Sequence, residues 1–322
     1  MTKEQFRMHR KPRKIPRPPG DRRRVPLPQS RIQVPPDDPG AEARLQSLLE
    51  GASYVRPDRD VDLLQRGEMR AVRLLLDYMK PELALERERI RSTIVLFGGT
   101  RIVEPALARE GLEKARAALR KSPKDPERKR RVAVEERILA KSRFYHVARE
   151  FARIVSGSCQ VGGRCEFVII TGGGPGIMEA GNRGAFDIGA KTIGLNITLP
   201  HEQYPNPYIT PGLCFQFRYF ALRKLHFLLR AKALVAFPGG YGTLDELFET
   251  LTLIQTRTVE PMPVILVGEE FWRNAFDADF LAAEGVIDPE DIELFAYAET
   301  AKEIWSHITG WYRSRGNDIL KG

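Results

Sequence analysis

The chain has 322 residues, 42% of them apolar, and carries a net charge of +9 at pH 7. This composition supports at least one buried core, and no apolar run is long enough to span a bilayer. The three cysteines lack metal-ligand spacing and the basic N-terminus lacks the apolar stretch of a secretory signal, so we expect a reducing, cytoplasmic location.

The excess positive charge belongs mainly to residues 1–40. This segment holds eleven Lys or Arg against four Asp or Glu, together with nine prolines. Such a composition cannot build a core and predicts a disordered basic tail. The tail is either a solubilising extension or a weak anchor for an anionic lipid, RNA or protein partner. The remaining residues carry only about +2, so they do not form a basic nucleic-acid binder.

Residues 41–90 follow the tail as a predicted helical extension, which we expect Pro81 to interrupt. The run STIVLFGGT at 92–100 is β-branched and apolar and ends in glycines, which predicts a buried strand and a tight turn. Residues 102–142 are charged and helix-prone, and they predict a solvated helical insertion that is broken near 122–126.

Apolar strands and amphipathic helices alternate through the rest of the chain. The predicted strands are CEFVIIT, KTIGLNI, ALVAF, MPVILVG and DIELFAYA, and the predicted helices are FYHVAREFARIVS, PGIMEAGNRGAFDIG, FQFRYFALRKLHFLLRA, TLDELFETLTLIQT, FWRNAFDADFLAAEG and AKEIWSHITGWYRSRG. This rhythm predicts an α/β domain over 91–315, with a parallel sheet covered by helices on both faces. Ligands of such sheets bind beyond the carboxyl ends of the strands, where three glycine clusters fall, at 98–99, 172–174 and 239–242.

The segment TGGGPGIMEA at 171–180 combines a glycine loop with a helix start, an arrangement that can hold phosphate. The dinucleotide fingerprint GxGxxG fails because Ile177 occupies its sixth position, and no acidic residue stands about twenty residues on. The loop GxxxxGK[ST] is also absent, which argues against an ATPase. Two interpretations remain: a phosphate cradle for a smaller ligand, or a tight strand–helix turn.

The segment FPGGYGTLDE at 237–246 also has two interpretations. Thr243 and Glu246 match the capping-box pattern, in which they only satisfy free backbone amides at a helix start. Alternatively, the Thr243 hydroxyl contacts a phosphate while Glu246 points into a pocket one turn later. Three glycines directly before a helix are more than a cap requires.

A stripe of polar residues runs along the predicted helix at 216–230. Tyr219, Arg223, His226 and Arg230 fall within roughly 60° of one another at about 100° per residue. The other positions are apolar nearly all round, which predicts a buried helix. The stripe is either a solvated face or a row of groups that faces an anionic ligand or a carboxylate in a cleft.

Arg223–Lys224 followed by PGGYGTLDE resembles the LOG ("lonely guy") family of cytokinin riboside 5′-monophosphate phosphoribohydrolases, and GGGPGIMEA is similar to the family's second glycine loop. The resemblance covers about residues 92–312 without the charged insertion, and a longer bacterial branch is the better match for the whole chain. It implies a Rossmann-like doubly wound fold, a homodimer or higher homo-oligomer, and a hydrolase that needs no cofactor and no metal. Members are often labelled lysine decarboxylases, but no lysine here has an evident pyridoxal-phosphate context.

By motif match, the resemblance places the catalytic pair on Arg223 and Glu246. It assigns the substrate site to Lys224, Gly239, Gly240, Tyr241, Gly242, Thr243, Leu244, Asp245, Thr252, Gly172, Gly173, Gly174, Gly176 and Met178. The loop LPHEQYPNPYITPG replaces the family's acidic substrate loop, and Glu202 or Asn206 are the candidates to take over its role.

The implied reaction converts a nucleoside 5′-monophosphate, such as AMP or a cytokinin riboside 5′-monophosphate, to a free base and ribose 5-phosphate. Glu246 suits the stabilisation of an oxocarbenium-like state or the activation of water, and Arg223 suits the orientation of Glu246 and of substrate oxygens. The rival interpretations are a nucleotide or molybdenum-cofactor binding protein of the same fold and a scaffold recruited by the basic tail. The presence of both Arg223 and Glu246 favours the enzyme.

Overall fold

The computed structural model describes residues 35–160, 165–199 and 204–316 of the chain. Most of the predicted basic tail and the candidate residue Glu202 lie outside these ranges. The chain divides into two compact units, residues 1–66 and 67–322. The described part of the first unit contains helices α1 (Ala41–Leu49) and α2 (Val61–Gln65) and one short 3₁₀ turn (Ala52–Tyr54).

The second unit begins with a 3₁₀ turn (Gly67–Met69) and carries the sheet. Its helices are α3 (Arg70–Arg87), α4 (Pro105–Lys121), α5 (Pro126–Lys141), α6 (Arg143–Cys159), α7 (Ile177–Phe186), α8 (Phe220–Leu228), α9 (Tyr241–Gln255), α10 (Glu269–Ala275), α11 (Ala278–Ala283) and α12 (Ala301–Ser314). Its strands are β1 (Thr93–Phe97), β2 (Val168–Thr171), β3 (Thr192–Ile197), β4 (Cys214–Phe217), β5 (Ala231–Ala236), β6 (Val264–Val267) and β7 (Phe295–Ala298). None of the helices in the described ranges is both long and apolar enough to cross a bilayer.

The seven strands form one sheet in the order β4-β3-β2-β1-β5-β6-β7, and every neighbouring pair is parallel. The predicted Rossmann-like α/β fold is therefore confirmed. The chain builds the sheet outward from β1 to β4 and then crosses over to β5. This reversal creates a topological switch point between β1 and β5, where open α/β sheets have a crevice for ligands.

Both faces of the sheet are buried, and each has its own core. Along β1, Ile94 and Leu96 join a cluster with α6, α7 and α12, while Val95 and Phe97 join a second cluster with α3, α8, α9 and α10. The two-residue period of a strand sends neighbouring side chains to opposite faces. Burial on both faces explains why the predicted strands read as continuous apolar runs rather than as alternating ones.

The charged insertion is a helical hairpin of α4 and α5, broken at 122–125 as predicted. Asp125 ends the break, because its side chain accepts hydrogen bonds from the backbone amides of Glu127 and Arg128. The prediction that Pro81 interrupts the preceding helix was wrong. α3 continues through Pro81 to Arg87, and its last turns are fixed by Ala84 and Leu85 in the core.

The predicted long helix at 215–231 was also wrong at its start. Residues Cys214–Phe217 form the edge strand β4, and the helix begins only at Phe220. The pattern in CFQF is alternating, since Phe215 and Phe217 are buried while Cys214 and Gln216 are exposed. A two-residue period is a strand signal, and the apolar residues of the following helix concealed it.

Three further expectations need correction. The side chains of Phe220, Leu225 and Leu229 are about half exposed, so α8 is not buried all round. The predicted helix at 271–285 is two short helices, because the Asp277 side chain caps a new start at Ala278. The last strand is shorter than predicted, since Pro289–Leu294 forms a 3₁₀ turn before β7.

Candidate active site

Three loops meet at the carboxyl ends of β1, β2 and β5 and enclose a cavity of about 270 Å³. Its lining residues are Phe97, Gly98, Gly99, Thr100, Gly172, Met178, Arg223, Gly240, Gly242, Thr243 and Glu246. The loops also bond to one another, because the Gly99 amide donates to the Pro238 carbonyl and the Ile177 amide donates to the Gly99 carbonyl. The cavity therefore lies at the switch point and has a rim of backbone.

Two glycines of this rim allow close contacts. Gly176 has a φ of +73°, and a Cβ there would stand 2.5 Å from the carbonyl oxygen of Gly99. At Gly172 a Cβ would stand 2.6 Å from Nη2 of Arg223. The absence of side chains thus lets two loops touch and lets the guanidinium lie directly against the glycine loop.

Arg223 reaches the cavity because α8 runs antiparallel to the strands. The helix begins at Phe220, just after β4 ends, so its first turn lies at the carboxyl edge of the sheet. Nε of Arg223 donates a hydrogen bond of 2.7 Å to the carbonyl oxygen of Leu195 in β3. The guanidinium also lies 5.0 Å from the ring centroid of Phe227. These contacts fix the side chain and leave its terminal nitrogens near the cavity.

Glu246 enters the cavity from α9. This helix begins at Tyr241 with Gly240 as its N-cap and without any side-chain cap, so Thr243 is already its third residue. The capping-box interpretation of Thr243 and Glu246 was therefore wrong. Oε1 of Glu246 lies 3.7 Å from Nη1 of Arg223, and the two side chains are only 8% and 14% exposed.

The two charges at the cavity perturb each other less than burial does. Burial raises the pKa of Glu246 to about 7, although Arg223 and then Lys224 act to lower it. Burial likewise lowers the pKa of Arg223, and Glu246 offsets part of this effect. A carboxyl group with a pKa close to neutral and a guanidinium that stays protonated are a combination found at sites of acid–base and electrostatic chemistry.

Several of the sequence-predicted substrate residues lie beside the cavity rather than on its wall. Nζ of Lys224 is 2.8 Å from Asp245 and 2.9 Å from Glu249, and these pairs raise its pKa against the effect of burial. Tyr241 is 92% exposed. The Thr252 hydroxyl donates to the backbone carbonyl of Phe248. The structure thus brings together Gly172, Met178, Arg223, Gly240, Gly242, Thr243 and Glu246, with Gly173, Gly174, Gly176, Gly239 and Leu244 in or next to the same loops.

The inner side of the second glycine loop is held by a buried amide network. Nδ2 of Asn206 donates to the carbonyl oxygens of Gly173 and Gly174 and to Oδ1 of Asn182. Asn182 in turn accepts a hydrogen bond from the Thr171 hydroxyl. Asn206, one of the candidates for the replaced substrate loop, therefore supports the loop from behind.

The set of site residues predicted from the sequence did not include the first glycine loop. Phe97, Gly98, Gly99 and Thr100 all line the cavity. The signal was present in the sequence as glycines that follow a predicted strand, since the switch point brings β1 next to β5. The contact between the Leu195 carbonyl and Arg223 could not be predicted from the sequence, because every residue type carries a backbone acceptor.

The polar stripe faces carboxylates rather than solvent. Beyond Arg223, the stripe meets Glu82 of α3: Arg230 donates to both of its carboxylate oxygens, and Nδ1 of buried His226 lies 3.2 Å from Oε1. The solvated-face interpretation was thus wrong. Most of the stripe is structural, and only Arg223 reaches the cavity.

Fold and site together define an α/β protein with a glycine-rimmed crevice at its switch point. Residues 178–308 match the model of a family described as "Possible lysine decarboxylase". The chain is 31% identical over 142 residues to cytokinin riboside 5′-monophosphate phosphoribohydrolase LOG3 of Arabidopsis thaliana, covering 42% of this chain and 64% of that relative. The predicted resemblance to the LOG family is confirmed.

Other similar proteins include the probable phosphoribohydrolase LOGL3 of Oryza sativa subsp. japonica, with 27% identity over 44% of this chain and 67% of that relative. A solved structure, the molybdenum cofactor binding protein of Rippkaea orientalis, is 18% identical and covers 52% of this chain and 87% of its own, with a TM-score of 0.38.

Proposed function

We propose that this protein is an N-glycosidase that hydrolyses a nucleoside 5′-monophosphate to a free base and ribose 5-phosphate. The observation that carries the proposal is the meeting of Arg223 and Glu246 in a small cavity rimmed by three glycine loops. The sequence similarity to phosphoribohydrolases supports the same activity.

The decarboxylase description in the family model's name fits the site less well. A pyridoxal-phosphate decarboxylase needs a lysine that forms a Schiff base with the cofactor. No lysine is among the residues that line the cavity in the described ranges. Lys224 is nearby, but its ammonium group is engaged by two carboxylates, Asp245 and Glu249.

The rim of the cavity suits a 5′-phosphate. α9 begins at Tyr241, and its N-terminal residues Gly240, Gly242 and Thr243 line the cavity. The first amides of a helix lack intrahelical partners and carry partial positive charge, which favours an anion. Phosphate bound there would place the ribose over Glu246. The binding energy of the 5′-phosphate, which does not itself react, would then orient C1′, the carbon that does.

The chemistry requires cleavage of the bond between C1′ and the base nitrogen. The base leaves with the bonding electrons and takes up a proton, while a water oxygen forms the new bond to C1′ and loses a proton. Positive charge develops on the sugar as the base departs, and the carboxylate of Glu246 would stabilise it or orient the water. Arg223 would hold Glu246 and the sugar or phosphate oxygens through its fork of N–H donors.

The experiment that tests the proposal is an assay of ribose 5-phosphate release from AMP, GMP, CMP and isopentenyl-AMP. We expect release from AMP or isopentenyl-AMP. The matched substrate control is adenosine, which lacks the phosphate and should react much more slowly. No release from any of the four nucleotides at high enzyme concentration would exclude the hydrolase.

A binding or carrier function is the alternative outcome of the same experiment. Calorimetry with AMP on the wild-type protein distinguishes the two, because tight binding without turnover supports a nucleotide sensor or carrier. A pure binder needs only the phosphate rim, whereas the buried pair of Arg223 and Glu246 adds a titratable group that binding alone does not require.

Assembly and location remain predictions. The side chains of Leu75, Leu76 and Leu83 on α3 and of Phe220 and Leu225 on α8 are about half exposed, and such an apolar surface supports a homo-oligomer. Sedimentation velocity of the wild-type protein and of a Leu76→Glu variant tests the predicted homo-oligomer.

Deletion of residues 1–40 tests the basic tail, since intact turnover with altered localisation would show that its anionic partner acts apart from catalysis. The cytoplasmic location stays a prediction as well.

A further inference from the structure

Helix α3 contacts both ends of α8, the helix that carries Arg223. Four α3 residues, at positions 73, 77, 78 and 82, each contact α8 or a residue beside it. These are Arg73, Asp77, Tyr78 and Glu82. α3 lies outside the segment matched by the family model, which begins at residue 178.

The contact at the start of α8 is the one that concerns the site. Oδ2 of Asp77 accepts hydrogen bonds of 2.9 Å from the backbone amides of both Arg218 and Tyr219. Tyr219 is the N-cap residue of α8, and it provides no side-chain cap of its own. Nε of Arg73 donates to the Tyr219 hydroxyl at 3.2 Å. A carboxylate from another helix thus fixes the entry into α8.

Arg223 depends on this entry. Its amide donates to the carbonyl oxygen of Tyr219, so it belongs to the first turn of α8, the part of a helix that frays first when amides at its start lose their partners. A negative charge near a helix N-terminus also interacts favourably with the helix dipole. Movement of the first turn would shift the guanidinium relative to Leu195 and Glu246.

We propose that Asp77 is a positioning residue for the candidate active site, acting through the N-terminus of α8 on Arg223. The inference rests on the proposed role of Arg223. Its distinguishing prediction is a kcat effect that exceeds any KM effect, because most of the groups that would bind the phosphate belong to the glycine rim and the start of α9. A merely structural residue would lower stability without this split.

The test compares three variants of the full chain. Asp77→Ala removes the acceptor, Asp77→Asn keeps an acceptor of nearly the same shape, and Glu82→Gln is the matched control at the other end of α8. We expect Asp77→Ala to lower kcat for AMP by about 10- to 100-fold with KM changed by less than about threefold, since small misplacements of catalytic groups have effects of this size. Asp77→Asn should restore kcat to within about threefold, and Glu82→Gln should retain kcat despite a lower Tm.

Hydrogen–deuterium exchange supplies a readout that does not require turnover. In Asp77→Ala the amides of residues 219–224 should exchange at least about tenfold faster, while those of 247–254 in α9 stay unchanged. If Asp77→Ala does not fold, Tyr219→Phe is the milder variant that removes only the hydroxyl bonded to Arg73, and it should change both readouts in the same direction.

The inference is overturned if Asp77→Ala has the same kcat and the same amide exchange rates as the wild type. It is also overturned if the kcat losses of Asp77→Ala and Glu82→Gln are proportional to their losses of Tm. If wild-type protein releases no ribose 5-phosphate, the proposed function fails instead. In that case faster exchange at 219–224 in Asp77→Ala, with unchanged exchange at 247–254, still supports the positioning role, and unchanged exchange at 219–224 overturns it.

Discussion

Two arginine–glutamate pairs involve the same short helix and are similarly buried, but they differ in distance and in hydrogen bonding. Arg230, just beyond the end of α8, donates to both carboxylate oxygens of Glu82 at 2.5 and 2.8 Å. Arg223, in the first turn, comes no nearer to Glu246 than 3.7 Å, and its Nε donates a hydrogen bond to a backbone carbonyl. In the first pair both carboxylate oxygens already accept hydrogen bonds from the arginine. In the second pair the terminal guanidinium nitrogens and the carboxylate oxygens can still bond to a ligand.

The pKa values of the two carboxyl groups differ accordingly. The pKa of Glu82 is lowered, because the hydrogen bonds and charge of Arg230, helped by His226, outweigh its partial burial. The pKa of Glu246 is raised to about 7, because its burial outweighs the more distant Arg223. A tight pair stabilises the fold, whereas a loose pair in a cavity holds a carboxylate in an unfavourable state that a reaction can use.

The largest expected effect separates the two glutamates in catalysis. Glu246→Gln removes the charge that would stabilise the oxocarbenium-like state, so we expect kcat for AMP to fall by about 10³-fold or more. The measurement is ribose 5-phosphate release at saturating AMP, with binding checked by calorimetry. Glu82→Gln is the control and should keep kcat within about threefold. A Glu246→Gln protein as active as the wild type would show that the site lies elsewhere.

The two arginines give the next largest difference. Arg223→Lys keeps a positive charge but loses the forked donors, so we expect turnover to fall by about 10²-fold. Arg230→Lys makes the same chemical change in the pair with Glu82 and should lower Tm with little effect on turnover. Equal turnover in the two lysine variants would contradict the assignment of the loose pair to the active site.

The sequence predicted the sheet and the loops better than it predicted the helix between them. Continuous apolar runs followed by glycines are local signals, so β1, β2, β5 and their loops could be placed directly. β4 was missed, because the alternation in CFQF is only four residues long and joins a helix that is also apolar. A short strand at a sheet edge carries little information of its own.

The site shows the same limit. Arg223 and Glu246 were predicted from their motifs, and the antiparallel course of α8 explains how they meet although they lie at opposite ends of β5 in the sequence. The roles of Asp77 and of the Leu195 carbonyl could not be predicted, because both depend on packing between segments distant in the chain. The capping-box pattern at 243–246 misled, since α9 already begins at Tyr241 with Gly240 as its N-cap and without a side-chain cap.

The third prediction concerns pH. With a pKa of about 7 for Glu246, the ionised fraction is about one tenth at pH 6 and about nine tenths at pH 8. If the carboxylate is the active form, kcat/KM for AMP should rise by about tenfold over this interval and then level off. Asp77→Asn is the comparison, because it leaves Glu246 in place and should keep the same midpoint. A profile that falls from pH 6 to pH 8 would instead make the protonated form of Glu246 the active one.

The smallest expected effect is on stability, and here the two glutamates should have opposite signs. The folded state raises the pKa of Glu246 above its ordinary value, so it binds the proton more tightly than the unfolded chain does, and stability is lost as the pH rises from about 4.5 to about 7. At pH 8 Glu246→Gln should therefore increase the free energy of unfolding by about 1–3 kcal/mol, a gain that disappears near pH 4. Glu82→Gln should decrease it at pH 8 by about 1–3 kcal/mol, because it weakens a charge-assisted pair whose stabilisation is present above the ordinary pKa of a glutamate. Urea unfolding of both variants at pH 8 and pH 4 measures the contrast. A loss of stability in Glu246→Gln at pH 8 would mean that the favourable interaction of Glu246 with Arg223 exceeds the cost of burying the Glu246 charge.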